Sequence, residues 1–305
     1  MRIVVVGAGG VGGYFGARLA AAGADVTFIA RGRHLEALRS TGLRLVSPKG
    51  DLHLPRVAAT GNPAEIGPAD IVFFTVKLYD TDSAVQLLPP LIGPATIVVP
   101  FQNGVDSVDV LTEAVGREHV GGGVAYVAAV IDEPGVIRHT AMDHLIFGEL
   151  DGSRSPRLQQ LLEACARSGF QATLSESILS DIWSKYVRLT TFSGMTTVTR
   201  SPLGVVRTDP DLLAMLTSAA RETLAVARAK GVPLGDKVFD EMMAMTMEIP
   251  GATKSSMLED LERGRRLELP WLSGRVAALG KELGVPTPTH HFIATVLKPF
   301  VQGRD

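Results

Sequence analysis

The first twelve residues constrain the fold more than any other part of the chain. Ile3-Val4-Val5-Val6 runs directly into Gly7-Ala8-Gly9-Gly10-Val11-Gly12, and a helical pattern continues to Ala22. A short unbroken apolar run that ends in glycines reads as a strand buried on both faces of a parallel sheet. Between a strand and a helix, glycines at the spacing G-x-G-x-x-G have separate physical tasks. Gly7 permits a tight turn, Gly9 lets the backbone approach a ligand, and Gly12 lets the helix pack closely on the sheet. The helix start then offers unpaired N–H groups and a partial positive charge, which suit a pyrophosphate. Gly7, Ala8, Gly9, Gly10, Val11 and Gly12 are therefore expected to cradle a dinucleotide.

The rest of the first half continues in the same style. Strands are expected at Asp25 to Ile29, at Ile71 to Val76 and at Ile97 to Phe101, with helices between them, one running to about Leu88. Leu43 to Leu54 reads as two strands around the turn Pro48-Lys49-Gly50. Alternating strands and helices indicate an α/β domain, a Rossmann-type doubly wound sheet. From Gly121 several strands with a turn at Glu133-Pro134-Gly135 suggest an antiparallel extension of that sheet. A helix at Leu158 to Arg167 and a strand at Gln171 to Leu174 follow. After about Ser177 almost only helical periodicity remains. The expected plan is a nucleotide-binding domain over 1–176 and an all-helical substrate domain over 177–305.

Composition narrows the partners. With 30 basic and 32 acidic residues the formal charge is −2, so neither nucleic acid nor an anionic membrane is an expected partner. No apolar run approaches the roughly 18–20 residues that span a bilayer. The N-terminal run is too short for a signal peptide and enters glycines with another role. The single cysteine, Cys165, suits a reducing cytoplasm and lies in a helical pattern as a packing residue. Met242, Met243, Met245 and Met247 read as core or interface packing, and these apolar helices suggest a homodimer. His290 and His291 are adjacent, point to different sides of a helix, and do not pair into a metal site.

The ends of the parallel strands should face the ligand. The second strand ends in Ile29-Ala30-Arg31-Gly32-Arg33, with none of the acidic residues that bond a ribose 2′-hydroxyl. Arg31 can instead pair bidentately with a 2′-phosphate, which points to NADPH. Lys77 closes the strand IVFFTVK, and Asn103 closes IVVPFQN. Topology places both beside the nucleotide.

Together, GAGGVGG, Arg31, VKLYD, FQNGVD, the segment around Lys185 and TKSSMLEDLERGRRLELP resemble the ketopantoate reductase family along nearly the whole chain. That resemblance implies a 2-oxo acid reductase acting on 2-dehydropantoate to give pantoate, in pantothenate biosynthesis. It implies that Lys185 is the catalytic proton donor and that Glu268, where substrate and cofactor meet, is the second catalytic residue, able to orient the lysine or accept a substrate hydroxyl. It further implies that Ser256 and Asn103 contact substrate, and that Arg31, Lys77, Asn103, Val127 and Glu268 contact the nucleotide. The chemistry is sound on its own terms. Hydride attack on a ketone leaves a developing alkoxide, and a lysine can stabilise it and donate the proton.

The chain departs from the family pattern at three positions. Asparagines expected four and eight residues after the lysine are Leu189 and Ser193, on the same helical face, and a third is Leu203. Losing these amides points to the same hydride chemistry on a more apolar 2-oxo acid as the alternative. Two further readings are a non-catalytic NADPH-binding sensor and a dehydrogenase of the hydroxyacid or imine-reducing type. Retention of Lys185, Ser256 and Glu268 argues against the first, and SSMLEDL followed by Glu268 argues against the second.

Overall fold

The computed structural model describes residues 1–235 and 237–304. The chain divides into two compact units, Met1–Asp181 and Ile182–Asp305. In the first unit the strands are β1 (Arg2–Val6), β2 (Asp25–Ile29), β3 (Leu43–Val46), β4 (Leu52–Leu54), β5 (Ala58–Thr60), β6 (Ile71–Phe74), β7 (Ile97–Pro100), β8 (Gly121–Glu133), β9 (Val136–Glu149) and β10 (Gln171–Leu174). Its helices are α1 (Gly10–Ala21), α2 (Gly32–Ser40), α3 (Thr81–Val85), α4 (Ser107–Val115) and α5 (Pro156–Ala166).

The first sheet has the order β5-β2-β1-β6-β7, and every neighbouring pair is parallel. Its central strands are apolar throughout and buried on both faces; Ile3, Val4, Val5 and Val6 are fully buried, as are Ile71, Val72, Phe73 and Phe74. With β1 in the middle, the loops after β1, β2, β6 and β7 emerge along one edge. They carry the glycine loop, Arg31, Lys77 and Asn103. Edge strand β5 is not announced by the sequence, since Ala58-Ala59-Thr60 is too short and too small to show a pattern. The helix expected up to Leu88 is broken into a 3₁₀ turn at Leu78–Asp80, the short α3, and a turn at Pro89–Leu91, where two prolines preclude helix continuation.

The antiparallel extension is a second sheet, joined to the first through the bridge between Val98 and Val120. Strands β8 and β9 form a long antiparallel hairpin. The other edge of β9 pairs in parallel with β10 and with β3, and β4 closes antiparallel on β3. Cys165 is fully buried in this unit's core, and burial pushes its thiol up to about 12, so it packs as a small apolar group.

The boundary between the units falls within α6 (Ile178–Thr199). The second unit continues with α7 (Leu203–Thr208), α8 (Pro210–Ala229), α9 (Val238–Glu248), α10 (Ser256–Glu262), α11 (Ser273–Leu283) and α12 (Pro288–Leu297). Met242 is buried against Val187, Ala220 and Leu224, with Met243 packed beside them. Met245 and Met247 are instead exposed. Among the described residues no helix is long and apolar enough to cross a membrane, and no three His, Cys, Asp or Glu side chains gather to hold a metal ion.

His290 is fully buried at the start of α12. Its Nε2 lies 2.9 Å from the Ala219 carbonyl and 2.8 Å from Thr223 Oγ1. The Glu222 carboxylate accepts the backbone N–H groups of Thr289 and His290 at 2.9 and 3.0 Å, capping the helix. Burial pulls His290 down to about 4. The folded state therefore holds the ring neutral, while the unfolded chain protonates near the usual value of 6.5. Stability from this group is fully present above pH ~6.5 and declines as pH falls from there towards 4, by a few kcal/mol in all. Thermal melts across that window should show the decline, and His290→Gln should flatten it. An equally steep decline in the variant would assign the slope to other groups.

Candidate active site

Each glycine of the first loop has a distinct environment. Gly7 has φ +100°, and a Cβ there would lie 2.9 Å from the Val76 backbone nitrogen. A Cβ on Gly12 would lie 2.4 Å from both the Gly7 carbonyl and Thr75 Oγ1. A Cβ on Gly10 would lie 2.0 Å from the carbonyl of Ala129 in β8. The fold itself demands these three. Gly9 is different: a Cβ there would meet nothing within 4 Å. Gly9 is the N-cap of α1, so open space lies at the helix start where first-turn amides lack helical partners. The loop is clamped from β6 by Thr75, whose hydroxyl lies 2.8 Å from the Gly7 carbonyl and 3.1 Å from that of Val6. Ala8 is buried and Val11 packs against the core. Val127 is part-buried in β8, at a register irregularity two residues before the strand touches Gly10.

Arg31 lies two residues beyond the end of β2 and is the N-cap of α2. It is exposed, and its Nη2 lies 2.6 Å from Asp80 Oδ2. Lys77 is exposed at the head of the turn that ends in Asp80. Asn103 is part-buried in the loop after β7. That loop is fixed by its neighbour Gln102, which is buried. Gln102 Nε2 donates to the Val76 carbonyl and to Thr81 Oγ1, both at 2.9 Å, and its Oε1 accepts from Ser107 Oγ at 2.8 Å. One amide thus ties the Lys77 loop to the Asn103 loop. Sequence reasoning missed this role of Gln102 and the pairing of Asp80 with Arg31; both residues lay inside the quoted motifs.

In the helical unit the next residue in the chain, Tyr186, anchors Lys185. The Tyr186 hydroxyl donates towards the carbonyls of Trp271 and Leu272, each at 3.0 Å. Those residues belong to the turn that begins at Glu268, whose carbonyl accepts the N–H groups of Trp271 and Leu272. The tie brings buried Glu268 into the electrostatic environment of Lys185. Burial pulls the Lys185 ammonium down to about 8; Arg188, one turn along, pushes the same way, and Glu268 opposes both.

Leu189 and Ser193 continue the Lys185 face of α6. Ser193 is fully buried, and its hydroxyl donates to the Leu189 carbonyl at 2.7 Å. Thr196 lies further along that face, and its hydroxyl donates to Ser255 Oγ at 2.8 Å, which seats the start of α10 there. Ser255 is the buried cap, accepting the Leu258 N–H at 3.1 Å, whereas Ser256 is exposed at the first position of α10. Leu203 is fully buried at the start of α7.

Comparison with known proteins agrees with this layout. Residues 3–152 match the ketopantoate reductase PanE/ApbA family, and residues 177–301 match its C-terminal domain. A 2-dehydropantoate 2-reductase of Mesorhizobium japonicum is 34% identical over 95% of this chain and 94% of its own length. An uncharacterised oxidoreductase, YkpB, of Bacillus subtilis is also 34% identical, over 94% of this chain and 95% of its own. The crystal structure of 2-dehydropantoate 2-reductase from Geobacter metallireducens superposes with a TM-score of 0.90 at 30% identity, covering 98% of this chain and 99% of that one. The chain belongs to the ketopantoate reductase family and is an oxidoreductase that uses a nicotinamide dinucleotide.

Proposed function

We propose that this enzyme reduces the 2-oxo group of 2-dehydropantoate to pantoate with NADPH. The observation that carries the proposal is Lys185, brought down to about 8 by burial and tied by Tyr186 to the Glu268 turn. When bound, the reduced nicotinamide supplies the hydride. The residues of the first unit fit such a group, because Gly9 leaves open space at a helix start. Arg31 pairs with the 2′-phosphate, Lys77 adds a second cation, and Gln102 holds the loop that bears Asn103. Lys185 Nζ carries the proton for the carbonyl oxygen. Its lowered proton affinity lies near the operating pH, where general acid catalysis is most efficient. Glu268 opposes loss of that proton and orients the ammonium.

One observation favours a second reading, the same reaction on a more apolar 2-oxo acid. The Lys185 face presents Leu189, and the Ser193 hydroxyl is spent on the Leu189 carbonyl. Neither offers the amide that would bond a substrate hydroxyl. A desolvated polar group without a partner costs about 1–3 kcal/mol, or roughly 10–100-fold in kcat/KM.

The test is NADPH oxidation with 2-dehydropantoate, 3-methyl-2-oxobutanoate and larger branched 2-oxo acids. Turnover of 2-dehydropantoate is expected, and Leu189→Asn with Ser193→Asn should raise it roughly tenfold or more relative to the apolar acids. A hundredfold wild-type preference for an apolar acid replaces the first reading with the second. No oxidation with any 2-oxo acid overturns both.

A further inference from the structure

We infer that Asp80 sets the choice between NADPH and NADH by restraining the preference that Arg31 alone would create. The inference rests on the nucleotide site proposed above and goes beyond it. Strand β1 lies between β2 and β6, so the ion pair from Arg31 to Asp80 reaches across the end of β1, where the glycine loop begins. The end of β2 is where sheets of this kind read the 2′ position of the adenosine ribose. No acidic residue stands at the C-terminal end of β2, yet the pair delivers a carboxylate to the same place from the turn after β6. That carboxylate lies 2.6 Å from Arg31 Nη2 and is the more buried partner; the Arg31 side chain is 78% exposed against 23% for Asp80. The carboxylate is therefore the fixed member and the guanidinium the one that moves.

Two consequences follow from charge. A free 2′-hydroxyl can donate to the Asp80 carboxylate, as it does to the acid of NAD-binding sheets. A 2′-phosphate brings about −1.5 to −2 charges to a guanidinium already paired with one carboxylate. Binding NADPH then requires Arg31 to leave Asp80 or to share its fork between two anions that repel each other. Lys77, at the head of the same turn, offsets part of that repulsion and keeps NADPH admissible. The wild-type enzyme therefore prefers NADPH less strongly than Arg31 alone would make it.

The experiment is a fluorescence titration of the enzyme with NADPH and with NADH, without any 2-oxo acid. Asp80→Asn keeps the shape and an acceptor for Arg31 but removes the charge; Asp80→Gln is the second variant. Both should raise the NADPH-to-NADH affinity ratio by about tenfold or more, and Arg31→Ala should lower it. A ratio unchanged by both Asp80 variants, or one that falls, overturns the inference; a fall would make Asp80 a support that aims Arg31 at the phosphate. Binding of neither nucleotide to the wild type overturns this inference and the nucleotide site together. The expected ratio shift in an enzyme that reduces no 2-oxo acid upholds the inference and removes only the substrate assignment.

Discussion

Replacing Lys185 by methionine is expected to lower kcat by roughly 10²-fold or more while nucleotide affinity stays near that of the wild type, because a general acid acts in the transition state. Methionine preserves the length and much of the packing of the side chain, so a loss of activity would not report a loss of fold. The pH profile separates a proton donor from a mere positive charge. Lys185 is held down to about 8, so its proton is present below that pH and lost above it. Reduction needs the proton; kcat/KM should therefore fall as pH rises through about 8, and the limb should vanish in Lys185→Met. Glu268 favours the charged form of Lys185. Glu268→Gln should then move the limb to lower pH as well as reduce kcat/KM. A limb that persists in Lys185→Met, or a Lys185→Met enzyme with near-normal turnover, would remove Lys185 from the chemistry; a limb that stays in place in Glu268→Gln would remove Glu268 as its partner.

How much of this was legible in the sequence depended on how locally each feature is encoded. The strand Ile3 to Val6 and the glycines after it announce themselves within twelve residues, because the turn, the helix packing and the ligand space are all set by near neighbours. The strands Leu43–Val46 and Leu52–Leu54 were readable from a turn between two apolar runs, and Gln171–Leu174 from its bounded pattern. Features made by distant residues were not readable. Gln102 spends its side chain on Val76 and Thr81, more than twenty residues away, and nothing in FQN distinguishes a bridging glutamine from a surface one. The Arg31 to Asp80 pair spans two loops that only the parallel sheet brings together. Lys185 was legible through family resemblance alone. A lysine on a helix carries no local mark of burial, and its anchor, Tyr186, works on carbonyls more than eighty residues downstream. Ser193 shows the same limit: its spacing puts it on the lysine face, but only the structure shows its hydroxyl turned back onto its own helix.

The glycine loop yields the other large effect, and it separates fold from ligand within a few residues. Gly12→Ala would place a Cβ 2.4 Å from the Gly7 carbonyl and from Thr75 Oγ1, and the first of these is backbone that cannot rotate away. Over-packing of that kind costs about 3 kcal/mol or more, which should lower Tm by several degrees. Gly10→Ala meets the Ala129 carbonyl at 2.0 Å and should behave alike by prising α1 from β8. Gly9→Ala should do the opposite. Its backbone, φ −77° and ψ −159°, is an extended conformation open to any residue, and the added Cβ touches nothing within 4 Å. Removing a glycine there restricts the unfolded chain and should leave Tm unchanged or raise it slightly, by roughly 0.4–1 kcal/mol of stability. The same methyl group enters the space through which a pyrophosphate must approach the helix amides, so nucleotide affinity should fall by about tenfold or more. Calorimetry and nucleotide titration on the three variants give the answer together. If Gly9→Ala melts as early as Gly12→Ala, the open space is needed by the fold; if it melts normally and still binds the nucleotide at full strength, the ligand lies elsewhere.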